Sequence, residues 1–382
     1  MYSVAAFGEM IADRVRMEAY AEAIQRTVRP GSIVADLGTG TGIMSLIACK
    51  CGARRVYAID PSDAIQLAAE TARENGFGDR VVAMQKRSTE VTLPERADVI
   101  VSDMRGVLPP FQLHLPSIVD ARDRLLAPGG QLVPQADTMW LAVLEAPDLF
   151  EKRVAPWKSA PLDLDLRSGL RYVANAWRKV QVKPGQLLSA LLQWATLDYR
   201  SLTSPRVEGG GRCRITRDGT AHGLVVWFDA VLAEGVGFSN APGAPELIYG
   251  QAHFPWPEAV LLREGDEVEC HLRADLVGGD YVWSWESKVH RREKPDAVDV
   301  HFRQSTFLGA PLTPESLARR ASTHVPNLSK DGEITLAALK RMQAGVSLGS
   351  LAEELSRLHT ARFRSAQEAL DFVSDLSVRY GR

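Results

Sequence analysis

Residues 31–60, GSIVADLGTGTGIMSLIACKCGARRVYAID, decide the fold of this chain of 382 residues. SIVADL is a short apolar run that stops at glycines, IMSLIACKC has the length of a helix, and RRVYAID is a second strand. A strand, a glycine turn, a helix and a strand form a βαβ unit, which predicts an α/β fold with a doubly wound, Rossmann-like sheet. Gly38, Gly40 and Gly42 allow a ligand to approach the backbone at the amino end of the helix.

The spacing of these glycines separates two classes of ligand. A dinucleotide site needs G-x-G-x-x-G, with its third glycine at position 43, where this chain has isoleucine. The observed pattern, D-x-G-x-G-x-G from Asp36, resembles motif I of class I methyltransferases that use S-adenosylmethionine (SAM). Asp60 ends the second strand, where a carboxylate can accept both hydroxyls of a ribose.

From about residue 7 to 290 the chain resembles the protein arginine methyltransferases. EMIADRVRMEAY, GARRVYAIDPS, ARDRLLAPGG and GFSNAPGAPELIYGQ carry the likeness. The resemblance implies that Arg16 pairs with the carboxylate of SAM and that Met10 packs near its sulfonium. The whole set of residues expected to bind SAM is Met10, Arg16, Asp36, Gly38, Thr39, Gly40, Gly42, Asp60, Pro61, Ser88, Thr89 and Asp103.

SDMRGVLPPFQLHL, residues 102–115, is the loop that the resemblance places beside the methyl group. In that family two glutamates of this loop clamp a guanidinium, whereas this chain has Asp103 and Gln112 in their places. The family's threonine, histidine and tryptophan of the barrel loop correspond to Leu247, Ile248 and Tyr249. We therefore expect a single negative charge at the acceptor, with Gln112 and Tyr249 also lining the substrate site.

A cationic amine cannot attack a sulfonium until a base or water removes a proton. Asp103 is the predicted catalytic carboxylate, and either His114 or His253 is a candidate base, since histidine titrates near neutral pH. The alternatives are a structural acid at a strand end and histidines that are buried or merely exposed.

The remaining pattern divides the chain into three predicted domains. Residues 1–135 form the SAM-binding domain, and residues 136–308, with short alternating runs, form a β-barrel. The family's dimerisation arm corresponds to residues 151–170, which implies a homodimer. Residues 309–382 lie outside the resemblance and are similar to PqqD-type winged helices, which bind leader peptides by adding a strand to an exposed edge. A plain helical cap is the alternative.

These features led to a leading hypothesis and two alternatives. The leading hypothesis is a SAM-dependent N-methyltransferase that methylates an amine of a ribosomally made precursor peptide, similar to the daptide-type enzymes, with the leader held by the C-terminal domain. One alternative is an arginine methyltransferase acting on protein or free arginine. The other is a SAM-binding regulator whose winged helix binds DNA.

Composition limits the partners. The formal net charge is −2, and residues 311–382 hold 10 basic and 8 acidic side chains, which argues against a large phosphate-binding surface. No apolar run approaches the roughly 20 residues of a membrane span, and the start lacks the features of a secretion signal. The four cysteines predict buried thiols and a cytoplasmic location. The histidines do not cluster at the spacings of metal ligands, so no metal is expected.

Overall fold

The computed structural model describes residues 3–159 and 161–381. Two helices, α1 (Val4–Ala12) and α2 (Arg14–Thr27), precede the first strand. Asp13 separates them and caps α2, because its carboxylate accepts a hydrogen bond of 3.2 Å from the backbone N–H of Arg16.

A parallel sheet of five strands forms the first layer and confirms the predicted α/β fold. Its strands are β1 (Ile33–Leu37), β2 (Arg55–Ile59), β3 (Val81–Met84), β4 (Ala97–Ser102) and β5 (Leu126–Val133). The connecting helices are α3 (Ile43–Lys50), α4 (Ala64–Glu74) and α5 (His114–Arg124). The strand order is β3-β2-β1-β4-β5, so the direction of winding reverses between β1 and β4, where open α/β sheets bind ligands.

An antiparallel β structure follows in two sheets, as the alternating sequence pattern predicts. Its strands are β6 (Ala136–Leu144), β7 (Arg178–Val180), β8 (Leu192–Asp198), β9 (Val207–Arg214), β10 (Gly219–Ala233), β11 (Val236–Ser239), β12 (Gln251–Leu262), β13 (Glu267–Val277), β14 (Asp280–Arg291) and β15 (Lys294–Ser305). One sheet has the order β7-β12-β10-β6-β8 with β11 beside β10, and the other has the order β15-β14-β13-β9. Trp194, Trp283, Trp285 and Phe254 pack together in its core.

The predicted arm, residues 151–170, begins within α6 (Pro147–Lys158) and ends at the first residue of α7 (Leu170–Ala174). The buried guanidinium of Arg153 joins the two helices, because it donates hydrogen bonds to the carbonyls of Val173 and Ala176 at the end of α7. Leu162 lies between the helices and is 91% exposed. The arm therefore presents apolar side chains to its surroundings.

The chain divides into two compact units, residues 1–311 and 312–382. The second unit contains α8 (Pro314–Ala318), α9 (Lys330–Gln343), α10 (Leu348–Leu358) and α11 (Ala366–Tyr380). Its core includes Ile334, Leu351, Leu355, Phe363 and Val373. The structure assigns no strand within residues 312–381, so the two-stranded wing of the predicted winged helix is not present in this range. The apolar residues of its core recur at helical spacing and pack between the helices.

None of the helices in the described part of the chain combines the length and apolarity that a bilayer span requires.

Candidate active site

Asp36, on β1, stabilises the glycine turn that follows this strand. Its Oδ2 accepts hydrogen bonds of 2.6 Å from the hydroxyls of Thr39 and Ser45. Burial raises the pKa of Asp36 to about 6, although both hydroxyls act in the opposite direction. Asp36 and Thr39 thus shape the turn, and their predicted contact with SAM stays a prediction.

The turn is built for close approach of its neighbours. Gly38, Gly40 and Gly42 have φ values of 68°, 54° and 88°, in the region that L side chains rarely adopt. A Cβ on Gly40 would lie 2.5 Å from the ring of Phe7, and one on Gly38 would lie 2.7 Å from the side chain of Met104. Side chains cannot be added here without displacing these two residues.

Asp60, at the end of β2, joins the glycine turn to the next loop. Its Oδ2 accepts a hydrogen bond of 2.9 Å from the backbone N–H of Gly40, and its Oδ1 accepts bonds from the backbone and hydroxyl of Ser62 at 2.8 and 2.6 Å. Although both oxygens already accept hydrogen bonds from the protein, Asp60 lies at the edge of the sheet where ligands of this fold bind.

Of the other residues predicted to bind SAM, Pro61 follows β2, and Ser88 and Thr89 follow β3. Ser88 is buried at the start of a 3₁₀ turn, whereas Thr89 and Pro61 are exposed. Met10 is half-buried on α1, and its carbonyl accepts a hydrogen bond of 2.8 Å from Arg16. Their contact with SAM stays a prediction.

Three residues singled out from the sequence meet in one buried cluster: Arg16, Asp103 and Tyr249. The Nε–H of Arg16 donates to Oδ2 of Asp103 at 2.5 Å, and the hydroxyl of Tyr249 lies 2.7 and 2.8 Å from the two carboxylate oxygens. Burial pushes the pKa of Asp103 upward, but the charges of Arg16 and Arg105 and the hydroxyl of Tyr249 outweigh it and hold the pKa below its usual value. Asp103 is therefore ionised at neutral pH.

Several residues of this cluster were not predicted from the sequence. Arg105 donates two hydrogen bonds, of 2.8 and 2.9 Å, to Asp137 on β6, and it donates a third, of 2.7 Å, to the hydroxyl of Tyr20. The hydroxyl of Tyr199 also donates to Asp137. A charged residue in an otherwise apolar loop, and an acid at the start of an apolar strand, were the available signals.

Asp13 is a further residue that the sequence did not single out. Besides capping α2, its carboxylate accepts a hydrogen bond of 2.8 Å from the backbone N–H of Ile248. Ile248 precedes Tyr249 in the barrel loop, so Asp13 links the helix that carries Arg16 to the loop that carries Tyr249.

His114 lies near the buried cluster, at the start of α5. Its Nδ1 is 2.9 Å from the carbonyl of Pro109, which accepts the hydrogen bond, and its Nε2 has no partner among the described residues. Burial, with the charge of Arg105, lowers its pKa to about 4. Gln112, predicted to contact the substrate, is exposed and has a φ of 43°.

His253 does not join the cluster, which corrects its prediction as a base near Asp103. It lies on β12, opposite Val225, and side chains alternate between the two faces of a strand. Val225 belongs to the small apolar cluster that contains Ala146, beside the arm, and the Nε2 of His253 would lie 2.9 Å from a Cβ on Gly223. Sequence spacing could not tell which face of β12 this histidine occupies.

The buried imidazole of His253 makes a prediction about stability. Burial, followed by the charge of Arg153, lowers its pKa to about 3 from an ordinary value of 6.5. The unfolded chain then binds the proton more readily, so the stabilisation is present above pH 6.5 and is lost as the pH falls towards 3. Between pH 7 and 5, we expect His253→Leu to lose about 2 kcal/mol less stability than the wild type in urea unfolding.

His324→Leu is the matched control, because His324 is exposed and its replacement should preserve the wild-type pH dependence. Equal pH dependence in the wild type and His253→Leu would contradict the assignment of a neutral buried imidazole.

The chain matches two family models in succession. Residues 19–131 match "Ribosomal protein L11 methyltransferase (PrmA)", and residues 135–277 match "Arginine methyltransferase oligomerization subdomain". The second match includes the arm.

Curated relatives carry arginine methyltransferase names. Protein arginine N-methyltransferase 6 of Xenopus tropicalis is 30% identical over 275 residues, which cover 68% of this chain and 80% of that protein. A probable protein arginine N-methyltransferase 6 of Arabidopsis thaliana is 39% identical over 153 residues, which cover 40% of this chain and 35% of that protein.

Solved structures agree in fold. A Trypanosoma brucei PRMT1 enzyme–prozyme heterotetrameric complex with AdoHcy has a TM-score of 0.72 at 22% identity and covers 79% of this chain and 98% of its own. Arabidopsis thaliana protein arginine methyltransferase 10 has a TM-score of 0.71 at 20% identity and covers 80% of this chain and 98% of its own. In both comparisons about a fifth of this chain has no counterpart.

Proposed function

The chain belongs to the protein arginine methyltransferase family and is a SAM-dependent methyltransferase, and from this premise we propose that it methylates a guanidinium nitrogen of arginine. The leading hypothesis from the sequence, a leader-guided methyltransferase of a precursor-peptide amine, is wrong. The relatives of this chain are named arginine N-methyltransferases. Residues 312–381 have no strand to whose edge a leader peptide could be added.

The observation that carries the proposal is the contact between Arg16 and Asp103. At the carboxyl end of β4, the Asp103 carboxylate already holds a guanidinium N–H at 2.5 Å, with both side chains at most 8% exposed. Charge-assisted hydrogen bonds of this kind are strong, and they suit the planar donors of arginine. The same carboxylate is thus suited to hold the guanidinium of an acceptor.

The residues present fit SAM. The three glycines of the turn carry no side chain that would cover its backbone, although Phe7 and Met104 pack against it. Asp60 has carboxylate oxygens beside the turn for ribose hydroxyls. When bound, SAM supplies an electrophilic methyl group on a sulfonium. Arg16, in the buried cluster with Asp103, is the cation proposed for the carboxylate of SAM.

Asp103 contributes orientation and charge to the transfer. An ionised carboxylate that holds one nitrogen of the acceptor limits its rotation and directs another nitrogen towards the methyl group. Deprotonation of the acceptor must accompany attack. We do not assign this proton to His114, since a base with a pKa of about 4 takes up protons poorly at neutral pH.

The test is transfer of label from radioactive SAM to an arginine-rich peptide, with the same peptide carrying lysine at every arginine as its control. We expect label in the arginine peptide alone, and mass spectrometry should place each added methyl on a guanidinium. Label in the lysine peptide with none in the arginine peptide would contradict the proposal.

We also propose a homodimer formed through the arm. The arm lies within the segment that matches an oligomerization subdomain, and its Leu162 and Leu164 are 91% and 57% exposed. Exposed apolar side chains between α6 and α7 favour contact with another chain. Sedimentation equilibrium should give twice the chain mass of 41.9 kDa, and a monomer at micromolar concentration would contradict this.

A further inference from the structure

A buried ion pair adjoins Asp103, the carboxylate proposed to hold the methyl acceptor. The side chains of Arg105, from the loop after β4, and Asp137, from β6, are both 0% exposed and are joined by two hydrogen bonds. Such pairs contribute little net stability, because removing two charges from water costs about as much as their attraction returns. The contribution of the pair to folding therefore does not explain its presence.

The pair is hydrogen-bonded to residues of both the SAM-binding part and the β-barrel. Tyr199, which follows β8, donates to Asp137, and Tyr20 on α2 accepts from Arg105 and donates to the carbonyl of Ser102 at 2.9 Å. The rings of Phe228 and Phe238 lie 5.7 and 5.9 Å from the guanidinium carbon of Arg105. Arg105 is consequently held from several directions and has little freedom to move.

The remaining contact of Arg105 is with Asp103. Its Nη1 donates to Oδ1 of Asp103 at 3.2 Å, while Oδ2 faces Arg16. Besides Asp103, Arg16 donates to the Met10 carbonyl, the Met17 sulfur and the Tyr249 hydroxyl, at 2.8, 3.4 and 3.2 Å, and none of these three acceptors is a carboxylate. The Tyr249 hydroxyl lies 2.7 and 2.8 Å from the two oxygens, so these differ in their cationic partners. Oδ1 faces Arg105, which Asp137 also holds, whereas Oδ2 faces Arg16, which has no second ion pair among the described residues.

We infer that Arg105, held by Asp137, is a positioning residue that fixes Oδ1 of Asp103 so that Oδ2 alone is presented to the acceptor. This inference rests on the proposed role of Asp103 in holding a guanidinium. The acceptor then meets one carboxylate oxygen, Oδ2, in a fixed orientation. Burial raises the pKa of Asp103, but the charges of Arg16 and Arg105 outweigh it and help to keep the carboxylate ionised.

The test replaces the pair by apolar side chains, in the double variant Arg105→Met/Asp137→Leu. A single substitution would leave a buried charge without its partner and would unfold the protein for an unrelated reason. The matched control is Arg217→Met/Glu145→Leu, which removes a half-buried ion pair of 2.8 Å elsewhere in the barrel. Circular dichroism first establishes that both double variants are folded.

For the folded Arg105→Met/Asp137→Leu protein, we expect kcat on the arginine peptide to fall about 30-fold while the Kd for SAM changes less than about threefold. The acidic limb of the pH profile of kcat/KM should move upward by about one pH unit, because Asp103 loses a neighbouring cation. The control variant should match the wild type in all three measurements.

A readout without an acceptor separates this inference from the proposed function. NMR of ¹³C-labelled aspartate carboxyls should show Asp103 titrating at a higher pH in Arg105→Met/Asp137→Leu than in the wild type. An unchanged titration, or a folded variant with wild-type kcat and pH profile, would overturn the positioning role. Failure of the wild type to methylate arginine peptides would instead overturn the proposed function.

Discussion

Asp103→Asn is expected to lower turnover on an arginine peptide by about a thousandfold, while the Kd for SAM stays within about threefold of the wild type. The amide removes the one negative charge of the cluster that can face a cationic acceptor, because Asp137 is buried against Arg105 and Tyr199. Steady-state kinetics and isothermal titration calorimetry would measure the two quantities separately.

Asp103→Glu is the matched variant for this prediction, since it keeps the charge and displaces it by one methylene. We expect it to recover part of the lost turnover. Asp103→Asn also leaves Arg16 without its carboxylate, which should cost about 1–3 kcal/mol of stability, so the assay temperature must lie well below the unfolding midpoint of each variant. Full turnover in a folded Asp103→Asn protein would place the acid outside the chemistry.

The doubly wound sheet was predictable because its signals are local. SIVADL is a buried strand that ends at a glycine turn, RRVYAID is a strand that ends at Asp60, and parallel strands bring their carboxyl ends to one edge. Asp36, Asp60 and Asp103 therefore had to lie near one another once the strand order was assumed. The same reasoning applied to the alternating strands of the barrel.

The buried cluster was only partly predictable, because its other contacts join distant residues. Arg105 and Asp137 are 32 residues apart, and no local pattern links them. The orientation of His253 depends on which face of β12 packs beside the arm, and this is set by the register with β10. Helical periodicity in the tail indicated helices but could not show whether a strand pair accompanied them.

The prediction of a peptide amine as the acceptor was wrong because it depended on the side chains of the family's site that this chain lacks. Gln112, Leu247 and Ile248 do lack the chemical groups of those side chains. The structure shows that Tyr249 instead contributes its hydroxyl to Asp103, and that the Ile248 backbone binds Asp13. A substituted site can thus retain an ordered carboxylate through contacts that a position-by-position comparison does not register.

Asp60→Ala is expected to raise the Kd for SAM at least about a hundredfold, equivalent to about 2.7 kcal/mol of binding energy. The substitution has two effects that act in the same direction. It removes the oxygens proposed to accept the ribose hydroxyls, and it releases the backbone N–H of Gly40 and the Ser62 loop that Asp60 joins. Calorimetric titration of SAM into each protein gives the affinity directly.

Asp63→Ala is the control, because Asp63 lies three residues further along the same loop, is exposed, and accepts one hydrogen bond of 2.7 Å from Gln85. Its Kd should equal that of the wild type, since it removes a carboxylate without touching the glycine turn. A further variant, Asp60→Asn, keeps an acceptor for Gly40 and should lie between the two. If Asp60→Ala bound SAM as tightly as Asp63→Ala, neither the ribose contact nor the support of the turn by Asp60 would hold.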